Sequence, residues 1–255
     1  KGLYDGLDLD GSNSNAALAK LLGAPVVLVI DAHGMTRGVA PLILGYQAFD
    51  RDIRIAGVIL NNLGGSRHES KLRAVIEHYT DVEVIGAVQH DTRMQIAERH
   101  LGLVPANEQG AAFSRIQFVG ERVAEQVNLE RLLAIADSAA DLDIALPSQA
   151  AMPTGRVRIG IAHDQAFGFY YSEDLDTLRA ANVELVELDT LNTQALPDVD
   201  GLIIGGGFPE MFMAELEANA LLRTQICRAI EAGLPTYAEC GGLMYLSKSL
   251  SWQGQ

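Results

Sequence analysis

Apolar and polar positions follow two rhythms along this chain. Short runs rich in Val, Ile and Leu, namely PVVLVIDA (25–32), IAGVILNN (55–62), VEVIGAV (82–88), VRIGIAHD (157–164), VELVELD (183–189), DGLIIGGG (200–207) and LPTYAEC (234–240), lead into turn residues or helical spacing. Runs this short that stay apolar on consecutive positions predict strands buried on both faces, as in a parallel sheet covered by helices. Between them lie stretches with helical spacing, such as ESKLRAVIEHY and SNAALAKLLG, the latter ending in Gly23 as a C-terminal cap with Pro25 just beyond. The alternation predicts α/β architecture. From Leu129 a helical pattern runs into a stretch rich in Pro, Ser, Thr and Gly before VRIGIA restarts a strand, which predicts a domain boundary near Ser148 to Gly155. The expected domains are residues 1–150 and 151–255. Both ends read as cut: KGLYDGLD opens at or inside the carboxyl end of a strand, and LSWQGQ stops where a turn into another strand is expected.

Composition narrows this picture. With 48% hydrophobic and 20% charged residues, 255 residues suffice for one or two domains with real cores. No apolar run is long enough to span a membrane and no secretory leader is visible, so a cytoplasmic protein is expected. Two cysteines, Cys227 and Cys240, are too few for a disulfide scaffold and lack the paired spacing of a zinc site. A formal net charge of −14 argues against nucleic acid and acidic membrane as partners, because both require a basic footprint. An anionic partner must then be held by local cations or by Mg2+.

Cys240 carries the first chemical signal. In PTYAECGGLMYL the strand is expected to end at Glu239 and a helix to begin near Gly241, which places Cys240 on the sharp turn of a nucleophile elbow. A helix N-terminus stabilises thiolate, and glycines admit a close neighbour. A buried structural cysteine remains the competing interpretation. Cys227, in LLRTQICRAIEAG, is assigned to the apolar stripe of a helix with Leu222 and Ile226, hence to the core. The strand DGLIIGGGFPE ends in glycines about one βαβ crossover before Cys240, so the two strand ends are expected side by side. Glycine N–H groups there could meet an oxyanion next to the sulfur; a merely permissive turn is the alternative.

YAECGGLMYL together with IIGGGFPE, and IAHDQAFGFYYSEDLDTL ahead of them, resembles a class I glutamine amidotransferase domain in its cobyrinate-synthase form. The resemblance implies that Cys240 attacks the side-chain amide of glutamine and releases ammonia, with Gly206, Gly207 and Gly241 at the oxyanion. Ala238 stands where many such enzymes have glycine. The family's catalytic histidine comes well downstream of the cysteine, and none of His33, His68, His78, His90, His100 or His163 holds that position.

The first half is similar to the synthetase domain of cobyrinic acid a,c-diamide synthases, a P-loop relative of dethiobiotin synthetase. The stretches that carry this are GLYDG, AKLLGAPVVLVIDAHGM, IAGVILNNLGGSRHESKLR and ERHLGLVPANE. The resemblance implies ATP and Mg2+, with a phosphate loop ahead of GLYDG; no G-x-x-x-x-G-K-[ST] occurs in the 255 residues. Asp5 is expected at a strand end, where it reaches Mg2+ or orients a phosphate acceptor; a turn-capping role competes. Asn61 matches the family's adenine-contacting asparagine, against an Asx turn. Asp31 ends a strand on the ligand-binding edge, and Arg37 follows it as a substrate or phosphate contact. Arg67, Arg93 and Arg99 are weaker candidates against plain surface charge, and His33 receives no catalytic role. The expected function is ATP- and glutamine-dependent amidation of the a and c carboxylates of cobyrinic acid, with glutamine and a corrinoid polycarboxylate as partners, homodimerisation being left open. The same amidation of another tetrapyrrole such as nickel sirohydrochlorin is an alternative. An inactive scaffold of the same folds, or a cysteine hydrolase indifferent to ATP, are the others.

Overall fold

The computed structural model describes residues 2–96, 98–99, 102–103, 112–142 and 155–254. The described chain divides into two compact units, one holding the residues up to Ile96 and those from Phe113 to 142, the other holding 98–99, 102–103, 112 and the residues from 155 onward. The expected boundary falls almost wholly on residues outside the described ones. So does most of ERHLGLVPANE, including the side chain of Arg99.

In the first unit, β1 (Val26–Asp31), β2 (Ile55–Leu63) and β3 (Val84–Gln89) form a parallel three-stranded sheet in the order β1-β2-β3. Asp31 stands opposite Asn61 in the register, so the carboxyl ends of β1 and β2 finish together. The helices are α1 (Asn15–Leu21), α2 (Val39–Phe49), α3 (Ser66–Tyr79), α4 (Ala112–Ala124) and α5 (Leu129–Ala136). Ser14 caps α1 by accepting the Ala17 N–H at 3.1 Å, and Gly23 closes it at φ 59°, as its spacing predicted. Val39, Ile43, Val58, Leu60, Leu72 and Ile76 lie at 0% exposure, a core shared by the central strand and by α2 and α3. A short antiparallel pair, β4 (Glu98–Arg99) and β5 (Gly102–Leu103), follows β3 along the chain and is grouped with the second unit.

GLYDG lies within residues 2–14, which form bends and turns. Local side chains take up that backbone. Asp5 accepts the Gly2 N–H at 3.0 Å, and Asn13 accepts the Leu7 N–H at 2.8 Å while donating to Asp8 at 2.8 Å. Short polar side chains of this kind compete with sheet pairing for backbone groups.

In the second unit, β6 (Val157–Ala162), β8 (Val183–Leu188), β9 (Gly201–Ile204) and β11 (Thr236–Ala238) make a parallel sheet in the order β11-β9-β6-β8. β7 (Phe167–Phe169) pairs antiparallel with β10 (Gly206–Gly207). The helices are α6 (Ser172–Ala180), α7 (Met213–Ala218), α8 (Ala220–Glu231) and α9 (Gly241–Tyr245). Phe167, Leu188, Leu202, Ile204, Leu222 and Ile226 fill the core. Cys227 does not join them: it is exposed. Leu222 and Ile226 make the buried stripe of α8, and a residue immediately after Ile226 is rotated about 100° off that stripe. The expectation that Cys227 is core is therefore corrected. No helix among the described residues is long and apolar enough to cross a membrane.

Candidate active sites at the strand ends

Cys240 sits where β11 turns into α9, and the turn is a strained one. Its backbone has φ 49° and ψ −114°, a region that non-glycine residues avoid at a cost of about 1–3 kcal/mol. Strain of this size persists only where surrounding contacts hold it. Here the Glu239 N–H donates to Ile204 O at 3.1 Å, and the Gly242 N–H to Gly205 O at 2.9 Å and to Glu239 O at 2.8 Å. Gly242 is needed for this packing, and Gly241 packs closely. A Cβ on Gly241 would lie 3.0 Å from the Gly207 N and O, and one on Gly242 would lie 2.0 Å from Ile204 O. The structure thus brings Cys240, Gly241 and Gly207 into one place, by way of the pairing of Ala238 with Ile204. Gly206 and Gly207 pair with Phe169 and Phe167, and a Cβ on Gly207 would collide with Ala166 O at 1.9 Å. The sulfur-bearing residue is exposed at this corner, and the Gly241 N–H meets no acceptor among the described residues. A thiol at such a corner, with an uncommitted N–H beside it, can attack a carbonyl carbon and present a donor to the oxygen that becomes negative.

Sequence reasoning missed Tyr170. Its hydroxyl donates to Ala162 O at 2.6 Å and accepts the Gly205 N–H at 2.9 Å, and burial pushes its pKa up to about 12. The signal was present in FGFYY, an aromatic pair directly after a strand, but nothing in the spacing says which ring turns inward. Tyr245 of α9 packs edge-on against Phe167 at 5.4 Å, and its hydroxyl is buried without a hydrogen-bond partner among the described residues.

In the first unit, the C-terminal edge of the sheet gathers Asp31 and Asn61. The Asp31 carboxylate accepts the His33 N–H at 3.0 Å and the Asn62 amide at 3.2 Å, and these bonds, His33 first, hold its pKa below the ordinary value. Asn62 was not singled out from the sequence. It adopts φ 59°, which asparagine tolerates better than most residues, and its Oδ1 lies 3.4 Å from His90 Nδ1. His68 was also missed: its Nδ1 accepts the Gly64 N–H at 3.1 Å and its Nε2 contacts Met35 O at 2.7 Å. The ring therefore ties the loop after β1 to the loop after β2.

The other candidates lie apart. Asp5 is engaged by Gly2 on its own loop. Arg37 stacks over the Tyr79 ring at 5.1 Å. No hydrogen bond among the described residues links either of them to Asp31. Arg93 is captured by Asp91 at 2.6 Å and lies 4.9 Å from the Phe118 centroid. Arg67 is exposed at the start of α3. No group of three or more His, Cys, Asp or Glu side chains able to hold a metal ion occurs among the described residues. Mg2+ does not require one, since it is commonly held by one or two carboxylates completed by nucleotide phosphates and water. A single ionised carboxylate such as Asp31 on the ligand-binding edge of a parallel sheet fits that mode.

Residues 158–255 match the model of the CobB/CobQ-like glutamine amidotransferase domain, and residues 6–96 match an AAA domain. A cobyrinate a,c-diamide synthase of Magnetococcus marinus is 48% identical over 100% of this chain and 56% of its own length. Its counterpart in Methanosarcina acetivorans is 49% identical over 98% of this chain and 53% of its own length. The chain belongs to the cobyrinate a,c-diamide synthase family. A further member, from Listeria monocytogenes serotype 4b, is 40% identical over 100% of the chain and 56% of its own length. The chain thus spans about half the length of the curated members it matches. No solved structure matches it. The expected α/β fold, a P-loop unit followed by a class I amidotransferase unit, holds for this family member, the AAA match covering the first unit.

Proposed function

We propose that this chain carries the nucleophile and the nucleotide-facing edge of a glutamine-dependent cobyrinate a,c-diamide synthase. The observation that carries the proposal is the strained elbow of Cys240, seated against Gly207 through Gly241 and against Ile204 through Gly242, where a Cβ would lie 2.0 Å from Ile204 O. The names of the relatives supply the substrate class.

Cys240 thiolate adds to the side-chain amide carbon of glutamine, and the carbonyl oxygen becomes an oxyanion facing the Gly241 N–H and the Gly206–Gly207 backbone. Collapse breaks the C–N bond, ammonia leaves with a proton delivered to it, and water hydrolyses the thioester to glutamate. The family's downstream histidine supplies the base and acid for these transfers. In the first unit, a corrin side-chain carboxylate, a poor electrophile, would take the γ-phosphoryl group of ATP with release of ADP, and ammonia would then displace phosphate from the acyl carbon to give the amide, Mg2+ supplying charge neutralisation. Asn61 would contact the adenine, Asp5 would hold Mg2+ or orient the phosphate acceptor, and Asp31 and Arg37 would contact substrate or phosphate, with Asp31 also able to serve Mg2+. The net charge of −14 favours a site where these local groups, rather than the overall field, hold the anions. The cytoplasm is the proposed compartment, and a homodimer remains a proposed assembly.

The test uses the full-length protein. Cys240→Ala is expected to abolish glutamine-dependent amidation and to leave amidation from free ammonia intact. Equal loss with both nitrogen sources would reject this division of labour.

A further inference from the structure

The glycine run Gly205–Gly207 must hold its shape for its N–H groups to serve an oxyanion, yet glycine is the residue least able to hold its own φ and ψ. Something else has to fix it. On one side Gly205 gives its carbonyl to the Gly242 N–H of α9 at 2.9 Å. On the other its N–H is taken by the Tyr170 hydroxyl at 2.9 Å, and that hydroxyl in turn donates to Ala162 O, at the end of β6, at 2.6 Å. The ring also closes the space over Gly205: a Cβ there would lie 2.5 Å from Tyr170 Cε1 and 2.8 Å from Cζ. Tyr170 therefore joins the ends of β6 and β9 and holds Gly205 by its N–H, while α9 holds its carbonyl.

We propose that Tyr170 is a positioning residue for the oxyanion donors, setting the peptides that follow Gly205 relative to Cys240. The inference rests on the reading that Cys240 attacks the glutamine amide. The hydroxyl must both donate and accept to make this clamp. Burial, which raises its pKa to about 12, keeps it protonated over the range where the enzyme works. Phenylalanine at this position retains the ring and loses both bonds, leaving the Gly205 N–H and the Ala162 carbonyl without their partner.

The experiment compares full-length wild type with Tyr170→Phe in three assays: glutamine hydrolysis, amidation from free ammonia, and alkylation of Cys240 by iodoacetamide. Direct removal of an oxyanion donor costs about 100- to 1,000-fold in kcat. Displacing one is expected to cost less, and kcat for glutamine should fall about 10- to 100-fold. KM should stay near that of wild type, because the hydroxyl is committed to Ala162 O and the Gly205 N–H. Ammonia-dependent amidation should be unchanged. Alkylation by iodoacetamide is a direct displacement at carbon that develops no oxyanion, so its rate should also be unchanged. Wild-type kcat in Tyr170→Phe would overturn the inference while leaving the role of Cys240 standing. A parallel loss of alkylation would overturn it too, by showing damage to the elbow itself. Glutamine hydrolysis that persists in Cys240→Ala would remove the underlying reading and the inference with it. Gly205→Ala provides a second variant, since its Cβ displaces the same ring. The same kcat-selective loss is expected there, and unchanged kcat would count against the clamp.

Discussion

Gly242→Ala tests the packing that holds the nucleophile. A Cβ on Gly242 would lie 2.0 Å from Ile204 O, 2.7 Å from Ile204 C and 3.0 Å from Ile204 Cβ. Ile204 is paired to Ala238 within the sheet, so these atoms cannot swing aside as the tip of a long side chain can. Ordinary contact begins near 3.4 Å, which requires α9 to retreat from β9 by about 1.4 Å. That retreat opens the bond from Gly242 N–H to Gly205 O, at 2.9 Å, and the bond from Glu239 N–H to Ile204 O, at 3.1 Å. Two backbone bonds at about 1 kcal/mol each, with an overpacking cost of about 1–3 kcal/mol, give a destabilisation of about 3–5 kcal/mol. An ångström of misplacement also costs about 100-fold in rate at a catalytic centre. The assay is denaturant unfolding of the full-length protein, followed by glutamine hydrolysis under conditions where the variant is still folded. A variant as stable and as active as the parent would refute the packing of elbow on strand described above.

Asn62→Val should destabilise more than Asn62→Gly by about 1–2 kcal/mol, because both lose the bond to Asp31 but only valine resists φ 59°; equal denaturation midpoints would contradict this. Asp91 has its carboxyl held at about 2 by the Arg93 side chain and N–H, below the ordinary 3.8. A depressed carboxyl contributes stability that is present above the unfolded value and is lost as pH falls through the folded one. Asp91→Asn should therefore flatten the loss of stability between about pH 4 and 2, and an unchanged acid limb in denaturant titrations would count against the pair. Asp5→Asn should slow the ATP-dependent step while sparing glutamine hydrolysis; an unaltered synthetase rate would remove Asp5 from the site.

Strands were the most legible part of this chain, because runs such as β2 are apolar on consecutive residues and fit a covered sheet, although β1 at the sheet edge leaves Val29 65% exposed. The elbow was legible for a related reason: a strand followed by Cys-Gly-Gly leaves the cysteine at a corner. What escaped depended on rotation and on contacts far apart in sequence. Cys227 misses the buried stripe of α8 by one residue. Asn62, beside the expected Asn61, is the residue that reaches Asp31, because a positive φ turns it back towards β1. Arg93 looked available for an anion until Asp91, two residues earlier, took it. Around GLYDG, spacing does not show that Asp5 and Asn13 take up the Gly2 and Leu7 N–H groups. Tyr170 could not be singled out, since its partners Ala162 and Gly205 come from two different strands.

The most direct test of the proposed chemistry is to incubate the full-length protein with cobyrinic acid, ATP, Mg2+ and glutamine and to follow the corrinoid by mass spectrometry. Two carboxylate-to-amide conversions, each lost when ATP or glutamine is withheld, are expected. An unchanged corrinoid under those conditions would contradict the proposed function, and amidation of nickel sirohydrochlorin in its place would move the substrate while keeping the roles of Cys240 and the glycine run.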